Sequence, residues 1–267
     1  MKKKGFKKRP TSKGIQLKKK FGQHFLREDK YIWEMLDAVQ LDSETSVFEV
    51  GCGDGFLTRH ILQTDIARLW IFEIDHDWVV HIEKEIQDDR MTVKEVNILD
   101  VDFSLFDSHK PWTLLSNLPY QITFPFLHRL QENRQMLKEG VIMIQEEVAE
   151  KILKTYGRGY GYSSLFFQHY FEWKKLLKVP PSAFYPPPKI FSRLLYFKPR
   201  ENITPIPDEK EFWKFIKLCF KQPRRTLENN LIQTHYDVAK IPDKYSGLRS
   251  QQLSMNDLLH LWDNLRD

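Results

Sequence analysis

Cysteine is nearly absent from this chain. Of 267 residues only Cys52 and Cys219 carry thiols, too few for a disulfide framework and in keeping with a reducing compartment. No stretch approaches the ~18 consecutive apolar residues of a membrane span. The lysine-rich start lacks the apolar run of a secretory signal and the arginine-rich amphipathic period of an organelle-targeting peptide. These readings point to a cytoplasmic protein with no membrane partner. The nine histidines show no metal-ligand spacing, and neither cysteine has a partner cysteine nearby, so no metal is expected. Acidic residues are missing from positions 1–20, which hold ten of the 41 Lys and Arg. The rest of the chain sets 31 basic residues against 36 acidic ones, so the overall charge of +5 belongs to a tail.

That tail has no apolar period and is expected to be disordered. A basic arm suits a phosphate polyanion, because each neutralised phosphate releases counterions. A solubilising leader has the same composition. The remainder can build a core: hydrophobic residues make up 41% and aromatics 13%, which excludes a wholly disordered chain. The length suits one large domain and one small one.

From Phe21 the pattern changes. Tyr31, Ile32, Met35, Leu36 and Val39 recur at helical spacing and predict a helix over 28–40. Apolar runs at 46–50, 68–74, 91–96, 113–116 and 141–144 read as buried strands, with helices at 57–63, 78–86 and 124–130 between them. This alternation is the α/β pattern of a mostly parallel sheet covered on both faces. Runs at 169–179 and 190–197 flank a proline-rich stretch and predict an antiparallel pair at the sheet's far edge. Three prolines in 199–207 mark a linker. Beyond it Phe212, Trp213, Phe215, Ile216, Cys219 and Phe220 share one helical face, and 225–232, 250–254 and 256–265 also read as helical. The expected organisation is a basic tail over 1–20, an α/β domain over 21–200 and a small helical domain over 201–267.

The first strand runs into Glu49-Val50-Gly51-Cys52-Gly53-Asp54-Gly55. Glycines let a strand-to-helix turn tighten and bring backbone close to a ligand. Such a turn suits a dinucleotide, S-adenosylmethionine, or no ligand at all. Two neighbours narrow the choice. The Gly-x-Gly-x-Gly spacing with an acid before it sits badly beside a diphosphate. Glu73 ends the next strand, where a carboxylate can accept hydrogen bonds from both ribose hydroxyls, with Asp75 as the alternative. Asn97, at the third strand end, can accept from the exocyclic amine of the cofactor adenine or can simply form a turn.

Strand 113–116 ends in Asn117-Leu118-Pro119-Tyr120, the most specific feature of the chain. Similar tetrapeptides recur in enzymes that methylate exocyclic amines of bases. The adenine N6 lone pair is delocalised into the ring, so the amine is a poor nucleophile. Acceptors aimed at its N–H groups, here the Asn117 side-chain oxygen and the Leu118 carbonyl, favour a pyramidal nitrogen. Pro119 fixes the backbone, and Tyr120 can stack on an extruded base. Catalysis then rests on positioning and electrostatics.

Taken together, Phe21-Gly22-Gln23-His24-Phe25-Leu26, the glycine turn, Asn117–Tyr120 and the stretch Pro180-Pro181-Ser182-Ala183-Phe184-Tyr185-Pro186-Pro187-Pro188-Lys189 resemble the KsgA family of small-subunit ribosomal RNA adenine N6,N6-dimethyltransferases. Phe220-Lys221-Gln222-Pro223-Arg224-Arg225-Thr226-Leu227, running on to Asn229-Asn230-Leu231, is similar to that family's C-terminal signature. The resemblance covers residues 18–265. It implies a Rossmann-like class I methyltransferase sheet, a helical domain that docks RNA, and S-adenosyl-L-methionine as cofactor. It also implies dimethylation of two adjacent adenines in the 3′-terminal hairpin loop of 16S-type RNA, late in assembly of the small ribosomal subunit, by a monomer that acts on no DNA. By motif position, His24 and Leu26 flank the methionine part of the cofactor, Gly51 lines the turn, Glu73 holds the ribose and Asn97 faces the cofactor adenine. Asn117, Leu118, Pro119 and Tyr120 form the methyl-transfer centre, and Phe184 stacks on the target base opposite Tyr120. The family usually has Asp at position 97, Asn at 121 and Ser at 123, and its Gln-Arg-Arg-Lys run reads Gln222-Pro223-Arg224-Arg225 here.

Lys174, Lys175, Lys178, Arg224 and Arg225 could meet phosphates or form a solvated face. Trp33, Trp213 and Trp262 are expected in the core, and 157–162 as a mobile loop beside the target-base pocket. Three rival readings are weighed against the leading one. A large-subunit RNA adenine methyltransferase giving macrolide resistance usually has Ile at position 118. A non-catalytic assembly factor would not need the glycine turn, and a dinucleotide oxidoreductase is the most distant.

Overall fold

The computed structural model describes residues 11–18 and 22–266. The chain opens with a hairpin of β1 (Thr11–Ser12) and β2 (Ile15–Gln16), followed by β3 (Phe25–Leu26) and α1 (Asp29–Asp37). Strand and helix then alternate through β4 (Ser46–Val50), α2 (Phe56–Ile61), β5 (Arg68–Glu73), α3 (His76–Glu85), β6 (Met91–Glu95), β7 (Trp112–Asn117), α4 (Thr123–Glu132) and β8 (Leu137–Gln145). After α5 (Glu146–Leu153) and α6 (Tyr162–Tyr170) come β9 (Phe171–Val179), β10 (Phe184–Tyr185) and β11 (Ser192–Pro199). The chain finishes with α7 (Glu209–Cys219), α8 (Leu227–Leu231) and α9 (Met255–Leu265).

Seven strands form one sheet in the order β6-β5-β4-β7-β8-β11-β9. The pairs β4–β5, β4–β7, β5–β6 and β7–β8 are parallel, and β11 runs antiparallel to β8. This is the sheet of class I methyltransferases, with the antiparallel far edge that the apolar runs predict. β4 is buried at every position, as a parallel strand covered on both faces must be. Alternate side chains leave opposite faces. Val47, Leu69, Ile71 and Leu115 join the core that holds Ile32 and Met35 of α1. Phe48, on the other face, meets Phe106 at 5.0 Å, Trp112 at 6.2 Å and Phe72 at 6.4 Å. Each buried ring or aliphatic chain contributes about 1.5–3 kcal/mol, and the two layers fix the strand ends from which the loops depart.

Four expectations change. The basic stretch is not disordered throughout: residues 11–18 form the β1–β2 hairpin, and Leu17 is buried against Phe25 and Trp78. Residues 1–10, 19 and 20 lie outside the described residues. The domain division is also interleaved. One compact unit comprises residues up to Glu146 with Trp173–Pro199, and the other Glu147–Glu172 with Arg200–Asp267. One change of unit falls between Pro199 and Arg200, and α6 belongs with the C-terminal helices. The cause is aromatic packing: Phe166 lies 4.9 Å from Trp213, and Trp213 Nε1 donates to Tyr170 Oη at 2.8 Å. The glycine-rich loop at 157–162 is anchored in this second unit. Tyr160 is buried and meets Phe220 edge-on at 5.8 Å, so it is not the mobile loop expected. Trp213 and Trp262 are core residues, whereas Trp33 is 43% exposed and packs on His60.

Candidate active site

A cavity of about 290 Å³ opens at the C-terminal ends of β4, β5, β6 and β7. Ligands of open α/β sheets bind there, where the strand order reverses; here β4 is flanked by β5 and β7. The walls are residues 22–26, 49–54, 96–99 and 117–122, with Glu73 and Ile74. His24, Leu26, Gly51, Glu73, Asn97, Asn117, Leu118, Pro119 and Tyr120, all predicted from sequence, lie on this wall. Phe184 does not. It is 4% exposed and packed in the core, its backbone paired with Leu26.

The glycine turn is enforced by close approach. Gly51 has φ 75°, and a Cβ there would touch the Pro119 ring at 3.4 Å. Gly53 has φ 52°, and a Cβ would strike the Phe25 ring at 2.4 Å. Only glycine takes both the backbone and the space. Glu73 bridges this turn to the end of β5. Its Oε1 accepts from the Ile74 and Asp75 amides at 2.8 Å, and its Oε2 from the Gly53 amide at 3.3 Å. Burial nonetheless raises the Glu73 pKa, and it pushes Glu49 up to about 8 although Thr58 Oγ1 donates to it at 2.7 Å.

Asp75, the alternative to Glu73, is committed elsewhere. It caps α3 and takes Gln23 Nε2 at 2.9 Å and the Lys18 ammonium. Of the two, Glu73 is on the cavity wall and Asp75 is not. Asn97 caps the following short turn: its Oδ1 accepts from the Leu99 amide at 3.1 Å and its Nδ2 donates to Asp100 at 2.9 Å. The turn-forming role is thus realised, on the cavity wall.

Asn117 Nδ2 donates to the His24 carbonyl at 3.3 Å, which fixes the amide and leaves Oδ1 as its acceptor. His24 Nδ1 in turn donates to the Pro186 carbonyl at 2.7 Å. The Tyr120 and Ser192 hydroxyls share a hydrogen bond of 2.7 Å, and burial raises the Tyr120 pKa. The Tyr120 ring lies stacked 6.1 Å from that of His24. The Leu118 amide donates to the Met143 carbonyl at 3.1 Å, so the tetrapeptide is pinned to β8.

The lining chemistry tests which cofactor fits. Glu49, Asp54 and Glu73 are carboxylates on the wall, and no Lys or Arg lines the cavity among the described residues. A diphosphate would find no cation on that lining to pair with. An adenosine joined to a sulfonium amino acid calls for hydroxyl acceptors and for a lining without cations, and these residues fit it. Among the described residues no group of three His, Cys, Asp or Glu side chains is placed to hold a metal ion.

Sequence reasoning missed the strap that braces this site. Lys18 pairs with Asp75 and, at 2.6 Å, with Asp77, while its amide donates to Gln23 Oε1 at 2.8 Å. Arg27 meets Asp54 at 2.6 Å, and Ser12 Oγ donates to the same carboxylate at 3.1 Å. The only local signal was Ile15 and Leu17 among the lysines.

Comparison with known proteins agrees with this geometry. A family model described as ribosomal RNA adenine dimethylase matches residues 14–254. A ribosomal RNA small subunit methyltransferase A from Chlorobium phaeobacteroides is 33% identical over 253 residues, covering 94% of this chain and 92% of its own. Among solved structures, a dimethyladenosine transferase from Plasmodium falciparum superposes with TM-score 0.67 at 24% identity, over 77% of this chain and 74% of the other. The 23S rRNA methyltransferase ErmE does so with TM-score 0.69 at 21% identity, over 91% and 100%; at these identities the two structures establish the fold. The chain belongs to the ribosomal RNA adenine dimethylase family and is an S-adenosylmethionine-dependent enzyme that methylates adenine in ribosomal RNA.

Proposed function

We propose that this enzyme dimethylates N6 of two adjacent adenines in the 3′-terminal hairpin loop of small-subunit ribosomal RNA. It acts as a cytoplasmic monomer on a late precursor of the small subunit. One observation carries this reading. The tetrapeptide Asn117–Tyr120 opens on the same cavity as Glu73 and the glycine turn, with the Asn117 amide set by the His24 carbonyl.

S-adenosylmethionine supplies a methyl group activated on a sulfonium. Everything else falls to the chain. Glu73 would accept from the ribose hydroxyls, His24 and Leu26 would flank the methionine part, and Gly51 would let the ligand approach the backbone. The Asn117 Oδ1 and the Leu118 carbonyl would accept from the target N6–H groups and hold its lone pair toward the methyl. Tyr120 would stack on the extruded base. Phe184 could reach that base only by turning out of the core.

The α/β unit would serve as the methyltransferase domain and the helical unit as the RNA-docking domain. Within the latter, Asn230 accepts from the Gln222 amide at 2.9 Å and donates to the Gln222 and Thr226 carbonyls at 3.2 Å. That clamp supports exposed Arg224 and Arg225 as phosphate contacts despite Pro223. Leu118, the 180–184 stretch and the 220–231 stretch favour the small subunit over the large one.

The test is transfer of labelled methyl from S-adenosylmethionine to small-subunit particles lacking these methyls, with large-subunit RNA in parallel. Label recovered as dimethyladenine in small-subunit RNA alone is expected. Label only in large-subunit RNA would overturn the substrate. No label in either, with the particle still bound, would turn the chain into an assembly factor.

A further inference from the structure

We propose that Phe191 and Tyr185, with the Lys178 ammonium over the Phe191 ring, form a stacking platform for an unpaired nucleotide next to the target adenine. The inference rests on the reading of the chain as an RNA adenine methyltransferase and adds a subsite to it. Phe191 and Tyr185 are each 45% exposed, and Ile190, which precedes Phe191 in the chain, is 41% exposed. Lys178 Nζ stands 4.5 Å from the Phe191 ring centroid. Lys174 and Lys175, on the same edge strand β9, are also exposed. Aromatic faces interleaved with cations are what single-stranded nucleic acid binds through, by base stacking and backbone attraction. The concentration of lysines selects a polyanion as the occupant.

The platform is mounted on the catalytic wall. Ser192, the next residue after Phe191, is the hydroxyl partner of Tyr120 at 2.7 Å. The Phe191 carbonyl accepts from the Glu146 amide at 3.0 Å, and Arg193 grips the Glu146 carboxylate twice, at 2.6 and 2.7 Å. Tyr185 pairs with Phe25, adjacent to His24. The rings are therefore carried by the backbone that frames Tyr120 and stay about half exposed, with Lys178 over that of Phe191. Extruding an adenine breaks stacking with its neighbour, a cost of a few kcal/mol. A ring ready to receive that neighbour recovers part of it, so the platform favours targets lying in an unpaired loop.

The test uses the full-length enzyme, small-subunit particles, and a matching hairpin RNA carrying 2-aminopurine beside the target adenine, whose fluorescence falls on stacking. Wild-type methylation of the small-subunit RNA is scored first; its absence overturns the substrate reading and not the platform. Phe191→Ala is expected to raise KM for RNA about tenfold, which corresponds to about 1.4 kcal/mol, to change kcat less than about twofold, and to lose the 2-aminopurine quenching. Phe191→Trp should keep both KM and quenching, and cofactor affinity should be the same in all. Lys178→Gln should flatten the salt dependence of KM. Phe191→Ala with wild-type KM and quenching, or Phe191→Trp as impaired as Phe191→Ala, would overturn the proposal. Equal loss of cofactor affinity would also overturn it, as would capture of an acidic protein by this face with RNA binding unchanged.

Discussion

Glu49 is buried in β4, and burial pushes its carboxyl up to about 8 where the ordinary value is 4.5. Between those values the unfolded chain gives up the proton and the folded chain keeps it. The stability that this group contributes is therefore complete below about pH 4.5 and is lost as pH rises through about 8, by at most about 1.4 kcal/mol per pH unit. Thermal unfolding at pH 5 and pH 8 should show this slope, and Glu49→Gln should flatten it. On the cavity wall, Asn117→Ala removes the side-chain oxygen proposed to accept from the target amine. We expect methyl transfer to fall by at least about 100-fold while particle binding changes less than about twofold; unchanged turnover in the labelled-methyl assay would disprove the assigned role. Asn117, Gly51 and Glu73 were legible in the sequence because each sits at a strand end, where local chemistry decides placement. Asn97 and Phe184 were less so. The lock of Asn97 onto Asp100 and the burial of Phe184 opposite Leu26 depend on partners that no spacing rule names.

Among the elements, the sheet strands were the clearest, since buried parallel strands are short apolar runs with sharp ends. β1 and β2 were hidden because two apolar side chains among lysines give no period to count. Yet this hairpin carries the strap, and Lys18 is the residue that fastens it to the end of β5. The Lys18 side chain is 32% exposed, so the pair is worth about 1 kcal/mol at most. Lys18→Ala is expected to weaken S-adenosylmethionine binding by a factor of about three to five in calorimetric titration at low salt. At about 0.5 M salt the difference should shrink, because screening weakens the wild-type pair as well. A variant as tight as wild type at low salt would show the strap to be decoration on the site.

For the molecule as a whole, the linker prolines draw the eye to residue 200 and conceal the interleaving of α5 and α6. α5 and α6 are short, lie before the sheet's last strands and look like part of the first domain until the aromatic partners of α6 are seen in α7. Cutting the chain after Pro199 should therefore not release a well-behaved methyltransferase unit. It would strip Trp213 from Phe166 and Tyr170. We expect such a fragment to bind a hydrophobic dye and aggregate where the full chain does not, and a monodisperse fragment in light scattering would contradict this. The same interleaving bears on the order in which the protein is made. Tyr170 and Trp213 lie 43 residues apart in sequence. At about 5–20 residues per second, a growing chain leaves the ribosome with the face of α6 uncovered for about 2–9 s. During that interval the last sheet strands, β9 to β11, can already pair. An enzyme that methylates ribosomal RNA thus spends seconds beside a translating ribosome with its helical unit half made and apolar rings uncovered.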